Sequence, residues 1–145
     1  MQHLRPDFDT AALVGWGVHA LLLGRADRPA TETALKRIAG MGSYAEVETE
    51  LYAAVSEMID DPAGYGLFVM DCDAFGGIEA GRLAVRHLRA AGVSVPVILL
   101  TAACPVQEFP EDRVLPVVLR SPLTAVSFRV GFEHAMRDRL LWRAA

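Results

Sequence analysis

The sequence predicts one α/β domain built on a doubly wound, five-stranded parallel sheet with the strand order 2-1-3-4-5. Short apolar runs alternate with longer segments of helical periodicity along the 145-residue chain. Three of the short runs are almost continuously apolar, which is typical of strands that helices cover on both faces of a sheet. The length suits a single domain with a core of its own.

The predicted strands are bounded by glycine and proline, the residues that most often interrupt regular structure. Pro96 lies near the start of the fourth strand, a position where a missing backbone N–H is tolerated. The second strand is the most weakly patterned of the set. We predict strands at residues 18–23, 44–47, 67–70, 95–100 and 114–119.

Apolar side chains at helical spacing predict the helices between these strands. Pro29 stands in the first turn of the first helix, where its missing N–H loses no hydrogen bond, and Gly40 ends that helix. The crossover before the fifth strand carries Pro105, Pro110 and Pro116, so we expect its helix to be irregular or shortened. We predict regular helices at residues 31–39, 51–59, 78–91 and 123–142.

The composition argues against several classes of function. The net charge is −4 at pH 7 and the basic residues are scattered, so the chain lacks the basic face of a nucleic-acid-binding domain. The longest apolar stretch, residues 11–23, is interrupted by glycines and a histidine and is too short to span a bilayer. Cys72 and Cys104 show no metal-ligand spacing, so we expect a reduced, cytoplasmic protein.

Residues 1–17 are predicted to form an N-terminal extension, and residues 18–145 to form the domain itself. The extension contains Pro6, Asp7 and Asp9 before a glycine-interrupted apolar segment. Trp16 and Trp142 lie near the two ends of the chain, outside the common core pattern. Because tryptophan is enriched at interfaces, they are candidates for a contact between two copies in a homodimer.

The most informative segment is the apolar run from Leu67, which ends in Asp71 and Asp73 and continues into a glycine turn. In doubly wound sheets the ligand site lies outside the carboxyl ends of the strands, where the strand order reverses. Asp71 ends the predicted third strand, so we expect its carboxylate at that site. Asp73 either joins Asp71 in recruiting a cation weakly or makes an Asx-type turn into the next helix.

Three further segments occur in a characteristic order, namely Val69-Met70-Asp71, Gly77-Ile78-Glu79 and Val97-Ile98-Leu99-Leu100-Thr101-Ala102. With them, residues 18 to about 140 resemble the receiver domain of bacterial two-component response regulators, the CheY-like family. The resemblance implies that Asp71 accepts a phosphoryl group from a sensor histidine kinase, that Thr101 contacts this group and that Mg²⁺ assists. It also implies a signalling partner, either the kinase or a downstream protein.

The chain departs from the family's pattern at three positions around Asp71. The two acids that help to hold Mg²⁺ in the family correspond to Gly24 and Arg25, and the family's lysine before a proline corresponds to Ser121. Mg²⁺ prefers hard oxygen ligands, so the loss of two carboxylates should weaken its binding severely. We therefore expect no cofactor, with Asp27 as the remaining candidate to replace a lost Mg²⁺ ligand.

Arg25 also suggests how Asp71 is neutralised. If the side chain of Arg25 faces the pocket, its guanidinium pairs with the Asp71 carboxylate and acts as a fixed internal cation. The alternative is a solvated arginine in a loop, because isolated exposed pairs contribute little.

The leading prediction is therefore a pseudo-receiver, a stand-alone signalling module that acts through protein–protein contacts and is not an enzyme. Its Mg²⁺-dependent phosphorylation is expected to be impaired. A first alternative is a competent response regulator that is phosphorylated on Asp71, and a second is an enzyme or small-ligand-binding domain on the same flavodoxin-like sheet. The turns at Gly24 and Gly76-Gly77 match no nucleotide-binding motif, so no substrate is indicated.

Overall fold

The computed structural model describes residues 17–138, whose strands form one parallel sheet in the order β2-β1-β3-β4-β5. The predicted fold class and strand order are therefore confirmed. Neighbouring strands run in register, with Leu22 of the first beside Val69 of the third, and Val69 beside Ile98 of the fourth. The strands are β1 (His19–Leu23), β2 (Tyr44–Glu48), β3 (Leu67–Asp71), β4 (Val97–Thr101) and β5 (Val117–Arg120).

Within the same residues the helices are α1 (Pro29–Gly40), α2 (Leu51–Asp60), α3 (Ile78–Ala90) and α4 (Ala125–Ala135). The last helix begins two residues later than predicted because Thr124 caps it, its Oγ1 accepting a hydrogen bond from the backbone N–H of Ser127 at 3.0 Å. Trp16, Trp142 and the predicted continuation of this helix beyond residue 138 lie outside the described residues. No helix of residues 17–138 has the length and apolar character needed to cross a membrane.

The alternation of side chains along the strands gives the sheet an apolar core on each face. On one face Leu22 and Val69 pack with buried residues of α1 and α4. On the other face Leu21 and Phe68 pack with buried residues of α2 and α3. Every residue of β3 is buried, and Asp71 at its end is its one charged residue. The fold thus brings a single carboxylate to the carboxyl end of its central strand.

The crossover between β4 and β5, residues 102–116, contains no helix, in agreement with the expectation of an irregular segment. Glu108 instead pairs with Val118 in an antiparallel bridge, through backbone hydrogen bonds of 2.9 and 3.0 Å. β5 begins at Val117, three residues later than predicted, because the backbone closes a turn between the carbonyl of residue 112 and the N–H of residue 115. The edge of β5 is therefore covered by the loop that precedes it.

Candidate functional site

Asp71 lies at the carboxyl end of β3, beside the ends of β1 and β4. Met70 is paired with Leu23, the last residue of β1, and Asp71 is paired with Leu100 near the end of β4. The Asp71 side chain is fully buried. A buried carboxylate must be matched by an opposite charge and hydrogen bonds, because its desolvation is otherwise unfavourable by several kcal/mol. The partners of this side chain therefore define the chemistry of the site.

Arg28 and Thr31 supply those partners. Arg28 Nε donates a hydrogen bond of 2.7 Å to Asp71 Oδ2, and its Nη2 donates one of 3.3 Å to Oδ1. The hydroxyl of Thr31 donates a third, of 2.8 Å, to Oδ2. The hydrogen bond to Asp71 raises the pKa of Arg28 above its ordinary value, and the charges of nearby carboxylates add to the effect. Both oxygens of Asp71 are thus engaged by a guanidinium fork and a hydroxyl.

The β1–α1 loop directs Arg28 toward Asp71. The N–H of Arg28 closes a tight turn on the carbonyl of Arg25 at 3.0 Å. Arg28 has the extended conformation, φ −100° and ψ 126°, that a following proline favours. Pro29 then starts α1, whose first turn carries Thr31. Sequence reasoning missed Arg28 and Thr31, although an arginine directly before a helix-starting proline, in a loop at the edge that holds Asp71, was the available signal.

Thr31 occupies space that a side chain at Gly24 would need. A Cβ atom at Gly24 would lie 2.7 Å from Thr31 Cγ2 and would overlap Thr31 Oγ1. The same Oγ1 accepts a hydrogen bond of 3.1 Å from the backbone N–H of Arg25 while it donates to Asp71. Gly24 is the position at which the first acid was expected. Because glycine has no side chain, the Thr31 hydroxyl can occupy the space beside it.

The hypothesis that Arg25 pairs with Asp71 is wrong. The guanidinium carbon of Arg25 lies 5.5 Å from the centre of the Phe75 ring, in a cation–π contact. The reason is the turn described above, which brings Arg28 to the carboxylate. An internal cation is present as expected, but a different arginine supplies it.

Asp73 does not form the expected Asx-type turn, nor does it share a strand face with Asp71. It lies in a short 3₁₀ turn, Cys72–Phe75, that follows β3. Its carboxylate accepts hydrogen bonds from Thr101 Oγ1 at 2.7 Å and from the backbone N–H of Ala102 at 2.8 Å. Thr101 is buried and its hydroxyl is used in this link. Asp73 therefore joins the end of β3 to the end of β4.

Ser121, which lies where the resemblance predicts a lysine, is buried directly after β5. Its backbone N–H donates to the carbonyl of Thr101 at 3.1 Å, and it brings no charge to the site. Arg120 points away and is exposed, as the alternation of side chains predicts. Its Nε donates to the carbonyl of Cys104 at 2.8 Å and its Nη2 to that of Pro105 at 3.0 Å. Arg120 thus holds the loop 102–116.

The described residues do not fit a Mg²⁺ ion at Asp71. Both oxygens of Asp71 and both of Asp73 already accept hydrogen bonds, and Gly24 and Arg25 offer no side-chain oxygen. Within residues 17–138 no group of three or more histidine, cysteine, aspartate and glutamate side chains is placed to hold a metal ion. A guanidinium provides the positive charge but has no open coordination position for a substrate oxygen.

Comparison with known proteins identifies the fold. No protein-family model matches the sequence, and no curated protein matches it significantly. The receiver domain of the sensor histidine kinase PA1611 from Pseudomonas aeruginosa PAO1, solved with a magnesium ion in its active site cleft, is 23% identical with a TM-score of 0.61. That match covers 83% of this chain and 98% of the other. The chain has the receiver fold.

Two other receiver domains agree with this assignment. That of NtrC4, solved as a beryllofluoride-activated dimer, is 12% identical with a TM-score of 0.61, over 83% of this chain and 97% of the other. A mutant receiver domain of the histidine kinase CKI1 from Arabidopsis thaliana is 17% identical with a TM-score of 0.57, over 88% and 95%. The low identities describe a divergent receiver fold, in which Asp71 ends the central strand and Arg28 binds it.

Proposed function

We propose that this chain is a pseudo-receiver of two-component-type signal transduction, which acts through protein–protein contacts without Mg²⁺-dependent phosphorylation of Asp71. The observation that carries the proposal is the fork from Arg28 Nε and Nη2 to the two oxygens of the buried Asp71 carboxylate. At the same site the carboxylates of Asp71 and Asp73 already accept hydrogen bonds, and Gly24 and Arg25 supply no further acid.

The fork opposes phosphoryl transfer in two ways. A carboxylate that attacks phosphorus must present a free oxygen in line with the leaving group, and a cation must offset the charge of the transferring group. Here Oδ2 of Asp71 accepts two hydrogen bonds and Oδ1 accepts one, while the side chain has no solvent exposure. The attack would therefore require Arg28 and Thr31 to leave, which would leave the carboxylate unpaired in a site that lacks acids at Gly24 and Arg25.

The module is regulatory in this proposal and is not an enzyme. Its partners are signalling proteins, a sensor kinase or a downstream protein, that recognise its fixed surface. Nucleic acid and membrane are not among the proposed partners, since the net charge of the chain is −4. The unpaired cysteines Cys72 and Cys104, both buried, support a cytoplasmic location.

The experiment is to incubate the full chain with acetyl phosphate and Mg²⁺ and to measure the mass of the intact protein. Wild type and the Asp71→Asn variant are each expected to keep the mass of the untreated protein, without a phosphoryl increment. The Arg28→Ala variant removes the fork but leaves Gly24 and Arg25 in place, so we expect no increment there either. An increment in Arg28→Ala alone would show that the fork is the sole obstacle to phosphorylation. A phosphoryl increment in wild type that is absent from Asp71→Asn would overturn the proposal.

A further inference from the structure

A groove of about 660 Å³ runs between α2 and α3 on the outer side of the helix layer. Its lining is largely apolar, with Tyr52, Val55 and Ile59 from α2, Leu83 from α3, and Phe75 from the 3₁₀ turn. Three of these side chains are well exposed, with 83% for Tyr52, 47% for Leu83 and 38% for Ile59. Exposed apolar side chains that line one groove together are typical of a binding site.

The groove has the geometry of a helix-binding surface. Tyr52, Val55 and Ile59 are three and four residues apart, so they form one ridge along α2. Both helices connect parallel strands, so α2 and α3 run in the same direction and their ridges bound a straight trough. Small residues, Ala80 and Ala84, line the α3 side and allow a close approach. The trough is about 12 Å long, or roughly two helical turns, over the α2 residues that line it.

The positively charged side chain of Arg25 lies at one end of the groove. Arg25 is part of the lining, and its guanidinium lies over Phe75. Of the ion pairs formed by residues 17–138, none includes Arg25. Glu50, Tyr52 and His87 are the other ionisable residues of the lining, and Glu50 makes no ion pair with Arg25. The groove therefore combines an apolar trough with an unpaired positive charge at the end nearest Asp71.

We propose that this groove docks an amphipathic helix of a partner protein, whose apolar face fills the trough and whose carboxylate pairs with Arg25. The inference deepens the proposed function and rests on it, because it names the partner's recognition element. It also gives Arg25, at a position where the family carries an acid, a role in recognition. An open trough favours a helix over a small molecule, because small-ligand sites enclose most of their ligand, whereas Tyr52 is 83% exposed.

The test uses a phage-displayed library of helix-forming peptides of about 14 residues, roughly four turns, selected on the full chain. Selected peptides are expected to be amphipathic with a carboxylate toward one end. Binding of the synthetic peptides is then measured by fluorescence anisotropy. Leu83→Asp is expected to weaken binding at least about tenfold, because it places a charge in the apolar trough. Arg25→Gln is expected to weaken it about two- to fivefold, as for an exposed pair.

Matched controls make the outcome specific. Val126→Asp introduces the same charge at a residue that is 73% exposed on α4, a helix of the opposite layer, and should leave binding unchanged. A peptide whose carboxylate is replaced by an amide should bind wild type and Arg25→Gln equally. Circular dichroism confirms that each variant is folded.

Several results would overturn the docking proposal. These are the absence of selected peptides, equal binding to wild type and Leu83→Asp, and peptides without a carboxylate that bind as well as those with one. A dimer of wild type that Leu83→Asp abolishes would assign the groove to a second copy instead. Failure of the proposed function is distinguishable, because it appears as a phosphoryl increment on Asp71, which peptide binding does not report.

Discussion

At the scale of single residues, the structure replaces an expected metal site by an internal ion pair. Asp71 has no solvent exposure, while about a third of the Arg28 side chain is exposed. Such a pair is poor evidence of net stability, because desolvation opposes the charge attraction. Removing one partner is nevertheless unfavourable, since it leaves the other charge buried without compensation. The loss of one partner is therefore expected to destabilise the protein more than the intact pair stabilises it.

Arg28→Ala should lower the free energy of unfolding by about 2 kcal/mol, measured by urea denaturation. Breaking a fully buried pair costs ~3–5 kcal/mol, and the effect is reduced here because the Arg28 side chain is 33% exposed and water can solvate the carboxylate. The matched control is Arg25→Ala, which breaks no ion pair and should change stability by less than about 1 kcal/mol. Equal effects of the two substitutions would contradict the assignment of Arg28 as the cation of Asp71.

Gly24→Ala should destabilise the domain by about 1–3 kcal/mol, the usual range for overpacking. The added Cβ would lie 2.7 Å from Thr31 Cγ2, in a side chain that two hydrogen bonds and the first turn of α1 hold in place. Gly40→Ala is the matched control, because its Cβ would meet open space at the end of the same helix. There, higher helix propensity should leave stability unchanged or raise it by up to about 1 kcal/mol. A neutral Gly24→Ala would show that Thr31 is free to move.

Cys72 should resist alkylation in the native protein. Burial raises the pKa of its thiol to about 12, so almost no thiolate is present at pH 8.5. The folded protein therefore holds the proton of this thiol more tightly than the unfolded chain, whose cysteine pKa is about 8.5. The resulting contribution to the free energy of unfolding is complete below about pH 8.5 and is lost as the pH rises toward 12. Mass spectrometry after iodoacetamide treatment should show modification of Cys72 at the rate of unfolding. Rapid modification without unfolding would contradict this prediction.

The sequence predicted the position of Asp71 because a strand end in this topology is fixed by local pattern. It did not predict Arg28, because the choice between Arg25 and Arg28 depends on how a short loop turns. That turn is set by the Arg25–Arg28 hydrogen bond and by Pro29, whose combined effect periodicity does not describe. The partners of Asp73 were missed for a related reason, since Thr101 and Ala102 are distant in sequence and meet it only in the folded sheet.

At the scale of secondary structure, hydrophobic periodicity predicted the regular helices and strands but not the path of the crossover from β4 to β5. Its prolines predicted an irregular path, but the path itself depends on side chains that reach across it. Arg120 holds two carbonyls of the loop, and Arg82 of α3 donates two hydrogen bonds, of 3.2 and 3.0 Å, to the carboxylate of Glu108. The loop is thus held by one side chain from the end of β5 and one from α3.

Arg120→Ala should loosen this loop while leaving the sheet intact. Loss of the hydrogen bonds to Cys104 and Pro105 should speed amide exchange in the loop about tenfold, a change of ~1.4 kcal/mol in local opening. Hydrogen–deuterium exchange with mass spectrometry measures this directly. Arg86→Ala is the control, because Arg86 is exposed on α3. If the loop amides of Arg120→Ala exchange as slowly as those of wild type, or if Arg86→Ala speeds their exchange equally, Arg120 does not hold the loop.

At the scale of the whole molecule, the sheet order gathers the ends of β1, β3 and β4 at one edge, and this arrangement is shared with receiver domains that differ at most positions. The fold is preserved because it depends on apolar runs and crossovers, which many sequences satisfy. The chemistry at the edge depends on a few polar side chains. A few side chains, such as Arg28 and Thr31 at Asp71, can therefore set the character of the site while both cores remain.

Mg²⁺ should consequently have no effect on the stability of the whole domain. A ligand that binds only the folded state raises the free energy of unfolding by RT ln(1 + [L]/Kd), about 0.4 kcal/mol when its concentration equals Kd. With Asp71 engaged by Arg28 and Thr31, we expect a shift below that value in urea denaturation with about 10 mM Mg²⁺. The PA1611 receiver domain, whose crystal structure contains magnesium in the cleft, is the positive control. A larger shift that Asp71→Asn abolishes would show that Mg²⁺ displaces Arg28 from the carboxylate, and the internal ion pair would then be a gate to the site, opened by the metal.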